Sequence, residues 1–183
     1  MAWLPRKLVH ISGAAFAFIG LYDRALSLGI ALAGIIAFFI LEAARRRIDL
    51  PFLSALYRDS EKKSIASEPL LYLLCIATLL AVSLAFDPPA CLAAIVVLTI
   101  GDGIAGIAGR AVGRHRLPNS QKTWEGSLSG FIAASAIGFL FAGPLAIAGA
   151  AAGMAAEAYS GRLENLSVAA ISFLAMAILS ALI

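Results

Sequence analysis

The sequence predicts an all-α fold, a polytopic membrane bundle of about seven transmembrane helices, in one domain over residues 1–183 with a cytoplasmic N-terminus. Three observations predict it. The chain is 61% hydrophobic with a mean hydropathy of +0.93, more apolar surface than a soluble domain of this length can bury. Its apolar residues fall into runs of about 17–25 residues, the length that crosses a bilayer as helix. The intervening segments alternate between minimal turns and longer basic loops, the asymmetry of a chain threading a membrane.

The runs are 4–22, 25–43, 69–86, 89–113, 126–142, 144–160 and 166–183; six spans with one half-inserted helix is the alternative count. The first opens with Arg6 and Lys7 and superficially imitates a signal peptide, but with further spans behind it it is expected to be a retained helix. The second ends at Glu42 before Arg45, Arg46 and Arg47, a topology signal and a contact for anionic lipid. The third and fourth hold Cys75 and Cys91, which lack metal-ligand spacing and are expected to pack in the core. A Gly143-Pro144 turn separates the fifth from the sixth. If the chain alternates sides, every Lys and Arg except Arg24 shares the side of the N-terminus. The positive-inside rule makes that side cytoplasmic. The net charge of +3, grouped at span ends, does not point to nucleic acid.

Ionisable groups inside or beside membrane helices are costly and tend to serve a function. The fourth span carries Gly101-Asp102-Gly103, with Asp102 roughly 20 Å from its outer end at the helical rise. Gly101, Ala105, Gly109 and Gly113 recur every four residues as a close-packing stripe. Asp102, Gly106 and Arg110 form the adjacent stripe, so acid and base share a face. Two readings stay open: Asp102 binds Mg²⁺ with Arg110 facing phosphate, or the two pair to lock the bundle. The glycines flanking Asp102 have no evident packing advantage over alanine, which favours a ligand site.

The loop from Arg114 to Ser127 opens the fifth helix. A helix N-terminus attracts anions through its free N–H groups and dipole. Lys122 adds a point charge for phosphate, Thr123 is placed to cap, and Gly126 leaves room for close approach. A solvated loop with an ordinary cap is the alternative. Gly126, Gly130, Ala134 and Gly138 continue as a packing stripe. Arg6 and His10 lie one turn apart near the inner end of the first span; His10 is open as general base, phosphate donor or structural histidine. Glu157 ends the sixth span on the stripe Gly149, Gly153, Glu157, and Glu164-Asn165 opens the seventh. Glu157 and Asn165 are site candidates, Glu164 a cap.

The run from Gly101 to Arg110, with Gly113, Leu117-Pro118 and Lys122-Thr123-Trp124-Glu125-Gly126-Ser127, resembles the dolichol and phytol kinase group of CTP-dependent lipid kinases. Arg6-Lys7 with His10, and Glu157 followed by Asn165-Leu166, are similar to that group's end motifs. The resemblance implies phosphoryl transfer from CTP to a membrane isoprenoid alcohol (dolichol, polyprenol, phytol or geranylgeraniol type), with Mg²⁺ as cofactor. It implies metal held by Asp102 and Glu157, and catalysis involving Asp102, Lys122, Glu125, His10 and Glu157. Nucleotide would meet Arg6, Arg110, Arg114, Asn119, Lys122, Thr123, Gly126, Ser127 and Asn165. Implied partners are CTP, the lipid alcohol and membrane lipids, with a homodimer left open. The setting is a prokaryotic or archaeal membrane with the site facing the cytoplasm. The group's late Asp-Asn-Leu is Glu164-Asn165-Leu166 here, without the following proline.

The central block also resembles phosphatidate cytidylyltransferases. Their later His-Gly-Gly-x-x-Asp-Arg-x-Asp segment has no counterpart at Gly161-Arg162-Leu163-Glu164-Asn165. A lipid-alcohol kinase is therefore preferred over a CDP-lipid synthase, and a CTP-dependent diacylglycerol kinase remains an alternative. A transporter would be expected to show repeat symmetry and midplane breaks; here the polar groups gather at one end.

Overall fold

The structure, a computed structural model, describes residues 3–44, 66–118, 120–161 and 163–183. The expectations for Arg45, Arg46, Arg47, Arg58, Lys62, Lys63, Asn119 and Arg162 fall outside the described residues. The helices are α1 (Trp3–Ser12), α2 (Ala14–Tyr22), α3 (Arg24–Ala44), α4 (Ser67–Ser83), α5 (Pro88–Val96), α6 (Asp102–Ala111), α7 (Trp124–Ala142), α8 (Leu145–Tyr159) and α9 (Glu164–Leu182). A π-helical turn, Val97–Gly101, joins α5 to α6. Among the described residues these elements fall into the seven segments expected, with α1 and α2 sharing the first and α5 through α6 forming the fourth. Four segments are long and apolar enough to cross a membrane: Arg24–Ala44, Pro88–Ala111, Trp124–Ala142 and Glu164–Leu182. The apolar helices Ser67–Ser83 and Leu145–Tyr159 are shorter.

The fourth segment is the axis of the bundle. Every residue from Ala90 to Gly103 is buried, and its three pieces touch α1, α2, α4, α7, α8 and α9. The other segments are arranged around it as neighbours in the order α2, α3, α4, α9, α8, α7. Their outward faces expose Ile36, Ile40, Ile132, Leu140, Ile178 and Leu182. A continuous apolar exterior over an alanine- and glycine-rich interior is a surface suited to lipid rather than water.

Small residues let the helices approach the axis closely. A Cβ at Gly130 would lie 2.5 Å from the Gly101 carbonyl oxygen, and one at Gly126 would lie 2.7 Å from that of Ala105. The two predicted stripes therefore face each other across the α6–α7 contact. Likewise, a Cβ at Gly103 would lie 2.3 Å from the Ile11 side chain, and one at Gly101 would lie 3.0 Å from the Met154 sulfur. The glycines flanking Asp102 thus do have a packing reason, contrary to the sequence expectation: they seat α1 and α8 against the axis.

The far end is closed by tight turns. Asp87 caps α5 by accepting from the Ala90 amide at 3.2 Å, and Pro88 takes the first helical position. Gly143, at φ 55°, makes the turn before Pro144 in a conformation that disfavours any side chain. Cys75 and Cys91 are buried free thiols, as expected.

Candidate functional site

The polar residues meet where α1, α6, the α6–α7 loop and the facing ends of α8 and α9 converge. Thr123 caps α7, its hydroxyl accepting from the Gly126 amide at 3.2 Å. Residues ahead of it fold back through an isolated bridge between Arg116 and Thr123. The Ser120 hydroxyl fastens that loop to the end of α8, donating to the Ala158 carbonyl at 2.5 Å. Lys122 is thereby directed inward. Its ammonium bonds the buried carboxylate of Glu157 and, at 2.8 Å, that of Glu164. Burial alone would lower its pKa, but the charges of Glu157, Glu164 and Asp102 outweigh burial and raise it above the usual lysine value. Lys122 thus stays cationic through the physiological range. The Ser127 hydroxyl faces the other Glu157 oxygen at 3.4 Å.

Asp102 lies opposite, 3% exposed at the start of α6. The bases bonded to it come from α1. Lys7 Nζ lies 3.1 and 3.0 Å from its two carboxylate oxygens and 3.2 Å from its carbonyl. His10 Nε2 lies 2.9 Å from Oδ2 and 3.0 Å from the Leu98 carbonyl. Both neighbours of Nε2 are acceptors, so that nitrogen carries the proton and His10 acts here as a donor to Asp102. Arg110, expected to share a face with Asp102 and to meet phosphate, is exposed at the rim of the cleft.

Asp102, Glu157 and Glu164 each place a carboxylate oxygen within 4.8 Å of the others. Three carboxyl oxygen donors, two of them from buried residues, are a donor set suited to a hard divalent cation. Glu157 and Glu164 line a cleft of about 380 Å³, together with Gly106 and Gly109 of α6 and with Lys7, Arg110, Lys122 and Thr123. The cleft thus brings together carboxyl groups, three cationic side chains and glycine backbone.

Of the expected site residues, Lys122, Glu157, Arg110, Thr123, Gly126 and Ser127 line this cleft, Asp102 lies beside it within reach of Glu157 and Glu164, and His10 contacts Asp102. The room expected at Gly126 is taken up by α6. Four others are placed elsewhere. Arg6 pairs with Glu68 at the start of α4, and Asn165 donates to the Glu68 carbonyl at 3.4 Å. Glu125 turns outward to His115, accepting from its backbone amide at 3.2 Å and lying 2.7 Å from its Nδ1. Arg114 is exposed in the same loop. Sequence reasoning placed Lys7 in the opening motif with Arg6 and His10 but gave it no site role, although its position three residues before His10 gave the signal. It also read Glu164 as a cap, although it stands where the resembled motif has its aspartate.

An all-α bundle with an apolar exterior and a charged cleft at one end is the architecture of a helical membrane protein with a polar site at one end of the bundle. The Cytidylyltransferase family matches residues 5–183, and the chain belongs to that family. No curated protein and no solved structure matches the chain.

Proposed function

We propose that the protein is a CTP-dependent kinase that transfers the γ-phosphoryl group to a membrane isoprenoid alcohol, with the cleft facing the cytoplasm. The observation that carries the reading is the cluster of Asp102, Glu157 and Glu164 interleaved with Lys7 and Lys122. Family membership supports a cytidine nucleotide. The missing late cytidylyltransferase segment favours phosphoryl over cytidylyl transfer.

In this reading Asp102, Glu157 and Glu164 hold Mg²⁺, which when bound neutralises charge on the triphosphate. Lys7 and Lys122, which pair with these carboxylates, would serve phosphate oxygens once the acids held the metal. Arg110 meets the outer phosphates from the rim. The alcohol oxygen attacks the γ-phosphorus, the bond to the β–γ bridging oxygen breaks, and CDP leaves. The hydroxyl proton passes to a carboxylate of the cluster. Glu157 suits that role better than His10, whose Nε2 already carries a proton, or Glu125, which faces His115. Catalysis then rests on positioning and charge stabilisation. The alcohol reaches the cleft from the bilayer beside α1, which packs on α6 and the π turn.

A second reading, CDP-lipid synthesis, is favoured by the family's description. Purified protein is given a polyprenol or phosphatidate with CTP labelled on either the γ-phosphate or the cytosine. γ-Label in the polyprenol is the expected result. Cytosine label in the phosphatidate product establishes the second reading instead.

A further inference from the structure

Two helical irregularities meet at His10, and one side chain joins them. The first span breaks at Gly13, whose amide bonds the His10 carbonyl at 3.2 Å, one residue short of the α-helical partner. The Tyr72 hydroxyl, from α4, enters that break and donates to the same carbonyl at 2.6 Å. A Cβ at Gly13 would lie 1.8 Å from the Tyr72 oxygen. Tyr72 can therefore occupy the break only because residue 13 has no side chain. The Tyr72 ring also lies against the His10 imidazole, centroids 4.2 Å apart and planes tilted by 36°.

The second irregularity is the π turn. The Asp102 amide bonds the Val97 and Thr99 carbonyls and passes over Leu98, the partner an α-helix would use. The Leu98 carbonyl accepts from His10 Nε2 instead, beside Asp102. A helix break or π bulge persists only where its released polar groups find partners. Tyr72 serves the first and His10 the second, so His10 is held by its backbone on one side and its ring on the other.

We propose that Tyr72 is a positioning residue: by wedging the first span at Gly13, it fixes the direction of α1 and aims His10 at Asp102. Lys7 lies one turn earlier on the same helix, so both bases bonded to Asp102 hang from this joint. Small displacements of groups around a reacting phosphoryl lower turnover steeply. The kinetic part of the proposal rests on the phosphotransfer reading; the geometric part does not.

The chain has two histidines, His10 and His115. Isotope-labelled histidine in the full-length protein therefore gives two sets of imidazole NMR signals, with His115 on the exposed loop as internal control. At one fixed pH, Tyr72→Phe is expected to shift the His10 ring signals and leave those of His115 in place. The same variant should lower kcat for CTP-dependent lipid phosphorylation on the order of tenfold, with KM for CTP changed less than about twofold. Gly13→Ala, which pushes a methyl against the Tyr72 hydroxyl, should displace the same His10 signals. His10 signals unmoved in both folded variants overturn the proposal, as does a shifted His10 with unchanged kcat. Wild-type protein that fails to phosphorylate any lipid alcohol while its His10 signals respond to Tyr72→Phe refutes the kinase reading and supports the geometric one.

Discussion

The two ends of the bundle use their polar residues in opposite ways. At the far end, charged side chains serve backbone close by in sequence or at a neighbouring helix end. Asp23 accepts from the Leu26 amide at 2.9 Å, Asp87 caps its own helix, and Arg24 donates to the Ser83 carbonyl. At the cleft end, Lys7 meets Asp102 across 95 residues, and Lys122 meets Glu157 and Glu164 across 35 and 42. Local capping needs only a turn. Charges gathered from five chain segments into a half-buried cleft resist packing and persist where something else offsets their desolvation. The difference supports the proposal that the cleft end is the working end.

The largest expected effects test that division. Asp102→Asn removes the carboxylate on which Lys7 and His10 converge and should cut CTP-dependent turnover at least about a hundredfold, with the protein still folded by its thermal transition in detergent. Asp87→Asn, at the far end, should leave turnover within about twofold. Equal losses in the two variants would erase the contrast between the ends.

Lys122→Met comes next. It leaves Glu157 and Glu164 without the ammonium that offsets them, and should lower both turnover and thermal stability, the latter by about 1–3 kcal/mol after discounting for partial exposure. The pH dependence has a definite sign. Because the Lys122 pKa is raised above its unfolded value, its stabilising pairing is complete at neutral pH and disappears only as pH rises through and beyond the ordinary lysine range. A denaturation series between wild type and Lys122→Met, run toward alkaline pH, should show the gap closing there.

Gly126→Ala sharpens the comparison from the packing side. The added methyl meets the Ala105 carbonyl at 2.7 Å and should destabilise by about 1–3 kcal/mol through separation of α6 from α7. Gly143→Ala, strained at φ 55° but open to space, should cost about 1 kcal/mol and leave turnover intact. Smallest is Glu125→Gln. Its carboxylate serves His115 outside the cleft, so turnover should fall less than about threefold, although the motif resemblance gives it a catalytic role.

Much of this was legible beforehand, for identifiable reasons. Span lengths follow from apolar runs, and the segment count held because the basic residues punctuate them. Asp102, Lys122 and Glu157 stood out because a charge in an apolar run needs an explanation. The stripes Gly101–Ala105–Gly109 and Gly126–Gly130–Ala134 were visible as four-residue periods and do pack on one another. What stayed hidden is set by tertiary contact. Helical periodicity pairs Asp102 with Arg110 on its own helix, but no local rule brings Lys7 across from α1. The flanking glycines were assigned to ligand because the helices pressing on them cannot be read from one strip of sequence. The break at Gly13 and the π turn are likewise stabilised by Tyr72 and His10 from other helices, which hydropathy does not register.

The central claim is that Asp102, Glu157 and Glu164 jointly hold a divalent cation beside a triphosphate. The direct measurement is a Mn²⁺ titration by electron paramagnetic resonance, with CTP and the full-length protein in lipid nanodiscs. The account predicts saturable Mn²⁺ binding that CTP tightens, weakened at least about tenfold by Glu164→Gln and by Asp102→Asn and retained in Glu125→Gln. Binding that is unchanged by the first two substitutions would contradict it.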